Sequence, residues 1–336
     1  MQRRGFLISV VALSAPFSCK RGSSADGQQA GAAQSRLRIA VIPKGTTHEF
    51  WKTVHAGAIK ASQELDVDIV WKGPLKEDDL KSQVELVQSF IAQRVAGIVL
   101  APLSDKALRN PVRAAKAAGI QVVVFDSALQ GDDFASFVAT DNLAAGRLAA
   151  EHMAKLLGGK GKIVVLRYIE GSASTMDRER GFLEALRAHK GITVVSDNQY
   201  GGATTESAFS ISESLLAAQK APDGGVDGVF TPNESTTFGM LLALQKGGLA
   251  GKIRFVGFDA SDKLVQGMQQ GHLDAVILQD PFNIGYLAVG TMVKVLRKGL
   301  FAPRVDTGAT IATKANLDDP RIRDLVRPDL QKWLGH

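Results

Sequence analysis

The sequence predicts an α/β protein built from two doubly wound, mostly parallel sheets. Three observations carry this expectation. Short apolar runs alternate with amphipathic helical segments along most of the chain. The alternation restarts after Phe137. One sheet holding every strand would be unusually wide, so two domains fit better. A length of 336 residues is ample for two hydrophobic cores.

The elements read as follows. Leu37–Ile42 (LRIAVI) is a near-continuous apolar run and reads as a buried strand. A helix spans Phe50–Leu65, and Val67–Trp71 is the next strand. Asp78–Gln93 is helical, with Leu80, Val84, Val87 and Ile91 three or four residues apart. Gly97–Ala101 is a strand stopped by Pro102. Asp105–Ala118 is a helix closed by Gly119, and Ile120–Phe125 a strand. After the restart the strands are Phe137–Ala139, Ile163–Leu166, Ile192–Ser196, Gly228–Thr231, Ile253–Gly257 and Ala275–Leu278. The intervening helices are Asn142–Leu157, Thr175–His189, Thr205–Gln219, Ser235–Gly247 and Asp262–Gln270, with Asn283–Lys298 last. The pattern repeats, but no sequence repeat accompanies it.

Composition excludes several classes. With 45% apolar and 22% charged residues the chain is neither disordered over most of its length nor polytopic. No apolar run approaches the roughly 20 residues of a membrane span. A single cysteine excludes a disulfide framework and a cysteine-based zinc site. The net charge of +6 is split: residues 1–35 hold Arg3, Arg4, Lys20 and Arg21 against Asp26 alone, so half of the excess lies there. The remaining body is too near neutral to mark a nucleic-acid surface.

The first residues read as an address. Arg3-Arg4 precede an apolar stretch, Phe6–Ala15, interrupted only by Ser9 and Ser14. A basic region, a short apolar core and small residues describe an export signal over residues 1–18. Arg3-Arg4-Gly5-Phe6-Leu7 is similar to a twin-arginine signal, and a general-secretion signal is the alternative. Cys19 stands where bacterial lipoproteins carry their lipidated cysteine. Residues 19–35 then form a tether of Gly, Ser, Ala and Gln. Periplasmic or extracytoplasmic localisation follows, with the membrane reached only through a lipid anchor.

No catalytic signature is found: no G-x-S-x-G, H-E-x-x-H, Walker loop or G-x-G-x-x-G. The six histidines lack metal-ligand spacing. The reading is therefore a non-enzyme with no cofactor, no metal and no catalytic residue. Polar residues instead gather after the strands, where open α/β sheets bind ligands. Pro43-Lys44 through His48, Phe50 and Trp51 follow the first strand. Asp126-Ser127, Asn233, Asp259 and Gln279 follow others. Carboxylates and amides suit paired hydroxyls, and an aromatic ring suits the apolar face of a sugar. Any one Asp or Asn could equally cap the next helix.

With these residues in place, the chain resembles the periplasmic sugar-binding proteins of the ribose-binding type, over roughly residues 36–312. The stretches that carry the resemblance are Phe50-Trp51 with Gly57-Ala58, Val123–Asp126, Ala139–Asn142, Gly171–Ser174 leading to Arg178 and Gly181-Phe182, Val256–Asp259, and Gln279–Pro281 before Gly285-Tyr286. The resemblance implies a type I periplasmic binding protein fold with a three-crossing hinge near 140/141, 279/280 and 308/309. One domain is then 36–140 plus 280–308, and the other 141–279 plus 309–336. It implies a ligand site made of Lys44, His48, Phe50, Trp51, Asp126, Ser127, Met176, Asn233, Asp259 and Gln279. Ser127 and Met176 stand where ribose binders carry arginines, which argues against ribose itself, and Arg178 is read as a structural ion pair. Two acids facing few cations favour a neutral sugar or polyol. The implied partner is an ABC transporter permease in the inner membrane, with the receptor a monomer. Lys44, with Asp177 and Pro232 nearby, also resembles the crevice of autoinducer-2 binders, so a diol receptor is one alternative. A sugar receptor for a membrane sensor kinase is another. A ligand-responsive repressor is disfavoured, because an export signal is present and no helix-turn-helix precedes residue 36.

Overall fold

A computed structural model describes residues 36–335. The export signal at 1–18, Cys19 and the tether at 19–35 lie outside the described residues. Among the described residues, twelve strands and eleven α-helices follow one another, beginning with β1 (Arg38–Ile42), α1 (Glu49–Glu64), β2 (Asp68–Trp71), α2 (Leu80–Ala92), β3 (Gly97–Leu100), α3 (Arg109–Ala117), β4 (Gln121–Phe125) and β5 (Ser136–Ala139). The second series is α4 (Asn142–Leu156), β6 (Lys160–Arg167), α5 (Ala173–Leu186), β7 (Gly191–Tyr200), α6 (Thr205–Ala218), β8 (Gly228–Phe230), α7 (Glu234–Lys246), β9 (Arg254–Phe258), α8 (Asp262–Gln269) and β10 (Ala275–Leu278). Then come α9 (Pro281–Leu296), β11 (Arg304–Asp306), β12 (Thr310–Thr313), α10 (Pro320–Val326) and α11 (Gln331–Leu334).

The strands form two six-stranded sheets with the same winding, β2-β1-β3-β4-β5-β11 and β7-β6-β8-β9-β10-β12. Every pairing is parallel except β10 with β12. The apolar runs are buried because helices cover both faces of each sheet. In the first lobe Ile39, Val41, Val99 and Val123 pack under α1 and α9, while Ile42, Ile98 and Val124 pack under α2 and α3. In the second, Val165, Phe230 and Phe258 face α4 and α5, and Val229, Phe255 and Val276 face the opposite layer. Glycines allow the closest helix pairs. A Cβ on Gly285 would sit 2.0 Å from the Val54 carbonyl, and one on Gly146 would sit 2.1 Å from the Arg178 carbonyl. Thus α1–α9 and α4–α5 approach backbone to backbone.

The chain passes between lobes after β5, after β10, and between β11 and β12. Thr140 Oγ1 donates to the Gly308 carbonyl at 3.3 Å, and Asp306 Oδ1 accepts from the Asp141 amide at 3.0 Å, which ties two passages together. A fourth passage was not expected. Residues 309–336 do not all stay with the second lobe. Ile322 and Val326 of α10 join its core, but α11 packs on α1, and the Trp333 ring lies 6.1 Å from that of Phe282 on α9.

Several boundaries differ from the sequence reading, and for two of them the local reason is plain. The third helix starts at Arg109 rather than Asp105, because Ser104 Oγ accepts from the Ala107 amide and Asp105 N donates across the cleft to Gly171 O. Strand β7 runs on to Tyr200, because an edge strand can carry the polar residues Ser196–Gln199. Among the described residues, no helix is long and apolar enough to cross a membrane.

Candidate ligand site in the interlobe cleft

The carboxyl ends of both sheets face each other, and the lobes touch around a cavity of only about 30 Å³. That is room for about one water molecule and far below the roughly 300–1,000 Å³ of ligand pockets, so a sugar needs the lobes further apart than they stand here. The first lobe contributes Lys44, His48, Phe50, Trp51, Glu77 and Asp126. The second contributes Ser174, Thr175, Arg178, Asn233, Glu234, Asp259 and Gln279. Eight of the ten residues expected from the sequence are therefore brought together.

Met176 and Ser127 are the exceptions. Met176 sits on the outer side of α5, where its sulfur faces the Gly171 amide at 3.2 Å and it lines a separate surface depression with Asp177 and Arg180. Helical geometry explains the error, because positions two apart on α5 point in different directions. The residue that α5 turns into the cleft is Arg178, and its earlier assignment as a structural ion pair is incomplete. Its Nε donates to Asn142 Oδ1 at 2.8 Å and its Nη1 to the Pro232 carbonyl at 2.9 Å. Nη1 lies 3.9 Å from Asp259 Oδ2, and the guanidinium carbon lies 4.6 Å from the centre of the Phe258 ring. Its Nη2 has no hydrogen-bond partner among the described residues. Ser127 is fully buried behind the wall and accepts the Ser174 amide at 3.1 Å, a bond between lobes.

Lys44 is spent largely on the opposite lobe. Its ammonium donates to Ser174 Oγ at 2.9 Å and Ser172 Oγ at 3.2 Å. Asp126 Oδ2 lies 3.2 Å from the same nitrogen, yet no hydrogen bond is directed at it. On its other side His48 Nδ1 meets Glu77 Oε1 at 2.7 Å. The Trp51 indole donates to that oxygen at 2.7 Å, and the Tyr168 hydroxyl, from the second lobe, donates to Oε2 at 2.9 Å. Burial pushes the His48 pKa down, but the Glu77 carboxylate outweighs it, helped by Glu234 and Asp259, and holds it at about 9. Burial pushes Glu77 up, and the His48 and Lys44 charges bring it down to about 2. His48 and Glu77 form an ion pair at neutral pH. The Phe50 and Trp51 rings meet edge to face at 4.9 Å, and Trp51 continues into the core against Phe125.

In the second lobe Asn233 both lines the cavity and caps α7, its Oδ1 accepting from the Thr236 amide at 3.4 Å and from Thr236 Oγ1 at 2.6 Å. Asp259 Oδ1 accepts from Gln279 Nε2 at 2.7 Å, and its Oδ2 from the Glu234 amide at 3.2 Å. Burial raises the Asp259 pKa against the pull of Arg178. Burial likewise lifts Glu234 to about 7, against His48 and two backbone amides. Among the described residues, three buried polar atoms at this cavity lack a hydrogen-bond partner: Asp126 Oδ2, Gln279 Oε1 and Arg178 Nη2. They are two acceptors and one donor. A hydroxyl group, donor and acceptor in one, complements both kinds.

Sequence reasoning missed Glu77, Glu234, Ser174 and Thr175. Glu77 lies in the charged run Lys76–Asp79, six residues past the end of β2 rather than directly at a strand end. Glu234 adjoins Asn233, and that adjacency was the available signal.

Two similar lobes, three sheet-to-sheet passages and a polar cavity between facing strand ends define a two-lobed solute-binding protein. The sequence matches the family described as the periplasmic binding protein domain over residues 39–300, and the chain belongs to that family. Its members are substrate-binding proteins, not enzymes, and this chain is of the ribose-binding type. The ribose import binding protein of Haemophilus influenzae is 28% identical over 265 residues, covering 79% of this chain and 87% of the relative. A periplasmic component of a sugar transport system from Hahella chejuensis is 34% identical, with a TM-score of 0.79, covering 82% of this chain and 99% of that one. An ABC transporter solute-binding protein from Agrobacterium vitis, solved with D-fucose, is 34% identical, with a TM-score of 0.82, covering 86% and 99%.

Proposed function

We propose that the protein is the extracytoplasmic receptor of an ABC importer and captures a neutral monosaccharide or polyol between its lobes by hinge closure. The observation that carries this reading is the set of three atoms that find no hydrogen-bond partner among the described residues, Asp126 Oδ2 from the first lobe and Gln279 Oε1 and Arg178 Nη2 from the second. Closure alone presents them to one molecule. Four carboxyl groups and three cationic groups line the cavity, and Glu234 titrates near neutrality, so the wall is nearly balanced in charge. That balance favours an uncharged ligand over a sugar acid or phosphate. Arg178 lines the cleft and supplies one of the two arginines that the sequence reading found missing at Ser127 and Met176, so ribose stays among the candidates. Relatives named for ribose and solved with D-fucose support a monosaccharide ligand.

The autoinducer-2 reading rested on Lys44, whose ammonium is engaged by Ser172 and Ser174. Asp177 faces outward to Arg180 at 2.9 Å. The sugar reading therefore stands first. The receptor is a monomer, exported by the signal at 1–18 and anchored through acylated Cys19, with residues 20–35 as tether. Mass spectrometry of membrane-extracted protein tests the anchor: a mature N-terminus downstream of Cys19 overturns it.

Calorimetry against neutral sugars, polyols, sugar acids and sugar phosphates tests the ligand. Tightest binding to a neutral sugar or polyol supports the reading. Tightest binding to a phosphate sinks it.

A further inference from the structure

Helix α1 lacks a cap of its own. Its N-cap residue is His48, whose side chain makes no capping hydrogen bond because it is engaged by Glu77. The His48 carbonyl satisfies the Trp51 and Lys52 amides, which leaves those of Glu49 and Phe50 without a partner in the first lobe. Both are met from the other lobe. Glu234 Oε1 accepts from the Glu49 amide at 3.3 Å and Oε2 from the Phe50 amide at 3.1 Å. By contrast, α2, α4, α7, α8 and α9 are capped by the residue that precedes them, Asp79, Asp141, Asn233, Ser261 and Asp280.

We propose that Glu234 is a positioning residue for ligand capture: its carboxyl group caps α1 across the cleft, and so fixes Phe50 and His48 against the ligand only when the lobes are together. This rests on the closure reading above. Exposed first-turn amides and the positive end of the helix dipole attract a carboxylate. Glu234 is the first residue of α7, next to Asn233, and its own amide is held by Asp259. Closure thus couples a ligand-lining acid in one lobe to an aromatic wall in the other. A Glu234 that only stabilised its own lobe would not reach Glu49 and Phe50.

The groups facing Glu234 are the His48 imidazolium and the Glu49 and Phe50 amides from the first lobe, with Asp259 beside it in the second. Arg178 acts at one remove, through Asp259. In the closed state burial raises its pKa to about 7 from an ordinary 4.5. Closure therefore takes up a proton, and affinity weakens as pH rises through about 7.

The experiment compares wild type, Glu234→Gln and Glu234→Ala by stopped-flow binding. The ligand is whichever of D-ribose, D-allose, D-arabinose and D-fucose wild type binds most tightly. Dissociation should quicken roughly 10-fold in Glu234→Ala, about the factor for one lost cap, with little change in association. Glu234→Gln should recover part of the loss and flatten the pH dependence between pH 5 and 8. Ligand-free urea stability should match wild type in both variants. Unchanged dissociation in Glu234→Ala, or a loss confined to ligand-free stability, overturns the proposal. If wild type binds none of the four sugars, the ligand reading fails separately. Amide hydrogen exchange then decides the cap: slower exchange at Glu49 and Phe50 in wild type than in Glu234→Ala supports it, and equal exchange refutes it.

Discussion

Asp126 and Asp259 occupy the same place in their respective lobes. Each directly follows its lobe's fourth strand, β4 or β9, and each has a left-handed backbone, with φ of 60° and 64°. Each amide donates to a carbonyl of the next strand, Asp126 to Val138 and Asp259 to Ile277. Aspartate tolerates this conformation better than most residues, at a cost of about 1–3 kcal/mol when strained. The bend lifts both carboxylates out of the sheets and into the cavity.

Two substitutions at Asp126 separate the bend from the charge. Asp126→Ala removes an acceptor and keeps the unfavourable φ; Asp126→Gly removes both the acceptor and the strain. Both should lose about 1–3 kcal/mol of sugar affinity, one to two decades in Kd. In urea denaturation the glycine variant should be the more stable by about 1 kcal/mol. Calorimetry showing wild-type affinity in either variant would remove Asp126 from the site.

Arg178 should matter to both the fold and the ligand. Removing the guanidinium strands Asn142 Oδ1, the Pro232 carbonyl and Asp259 in a buried setting. Arg178→Met is expected to cost about 3–5 kcal/mol of unfolding free energy, as for a broken buried ion pair. Arg178→Lys keeps the charge but not the planar fork, so it should fold while binding sugar more weakly. A lysine variant with unchanged affinity would return Arg178 to a purely structural role.

The two-lobed architecture was legible because buried parallel strands leave apolar runs such as Val122–Phe125, and the turns after them leave polar ones. Strand-end residues could be placed in a cleft because each strand's direction fixes which end faces it. Side-chain direction along a helix was not legible, and so Met176 was chosen over Arg178, two residues away. Glu77 and Glu234 act across the cleft, on Tyr168 and on α1, and no local pattern reports a partner from the other lobe. The segment after β12 was missed because α10 and α11 are too short for periodicity to declare them.

The His48–Glu77 pair should give stability a definite pH window. Glu77 has its pKa lowered from 4.5 to about 2, so its contribution is complete above 4.5 and fades as pH falls through 2. His48 has its pKa raised from 6.5 to about 9, so its contribution is complete below 6.5 and fades as pH rises through 9. The two values describe one interaction, and the contributions do not add. The stability difference between wild type and Glu77→Gln should be largest between pH 4.5 and 6.5 and should shrink by pH 9.5. Urea denaturation across that range measures it. A difference that stays constant from pH 5 to pH 9.5 would mean the two groups are not ion-paired.

The C-terminal segment should act as a tie between lobes. Its α10 is anchored in the second core through Ile322 and Val326, while Trp333 of α11 rests on Phe282 of the first lobe. Residues 327–330 span the gap, and Pro328 and Asp329 line a depression bounded by the passages at Gln279-Asp280 and Thr307–Ala309. Removing residues 327–336 frees the lobes on that side without disturbing either sheet. Trp333→Ala is the milder test, since an aromatic pair is worth about 0.5–1.5 kcal/mol beyond its burial. If α11 stays docked only when the lobes are closed, both changes should speed sugar release while leaving association nearly unaltered. If it stays docked in both states, they should lower ligand-free stability and leave release alone. Stopped-flow release rates and ligand-free urea curves on the same preparations distinguish these outcomes. Wild-type values for both would show that α11 contributes nothing to holding the lobes.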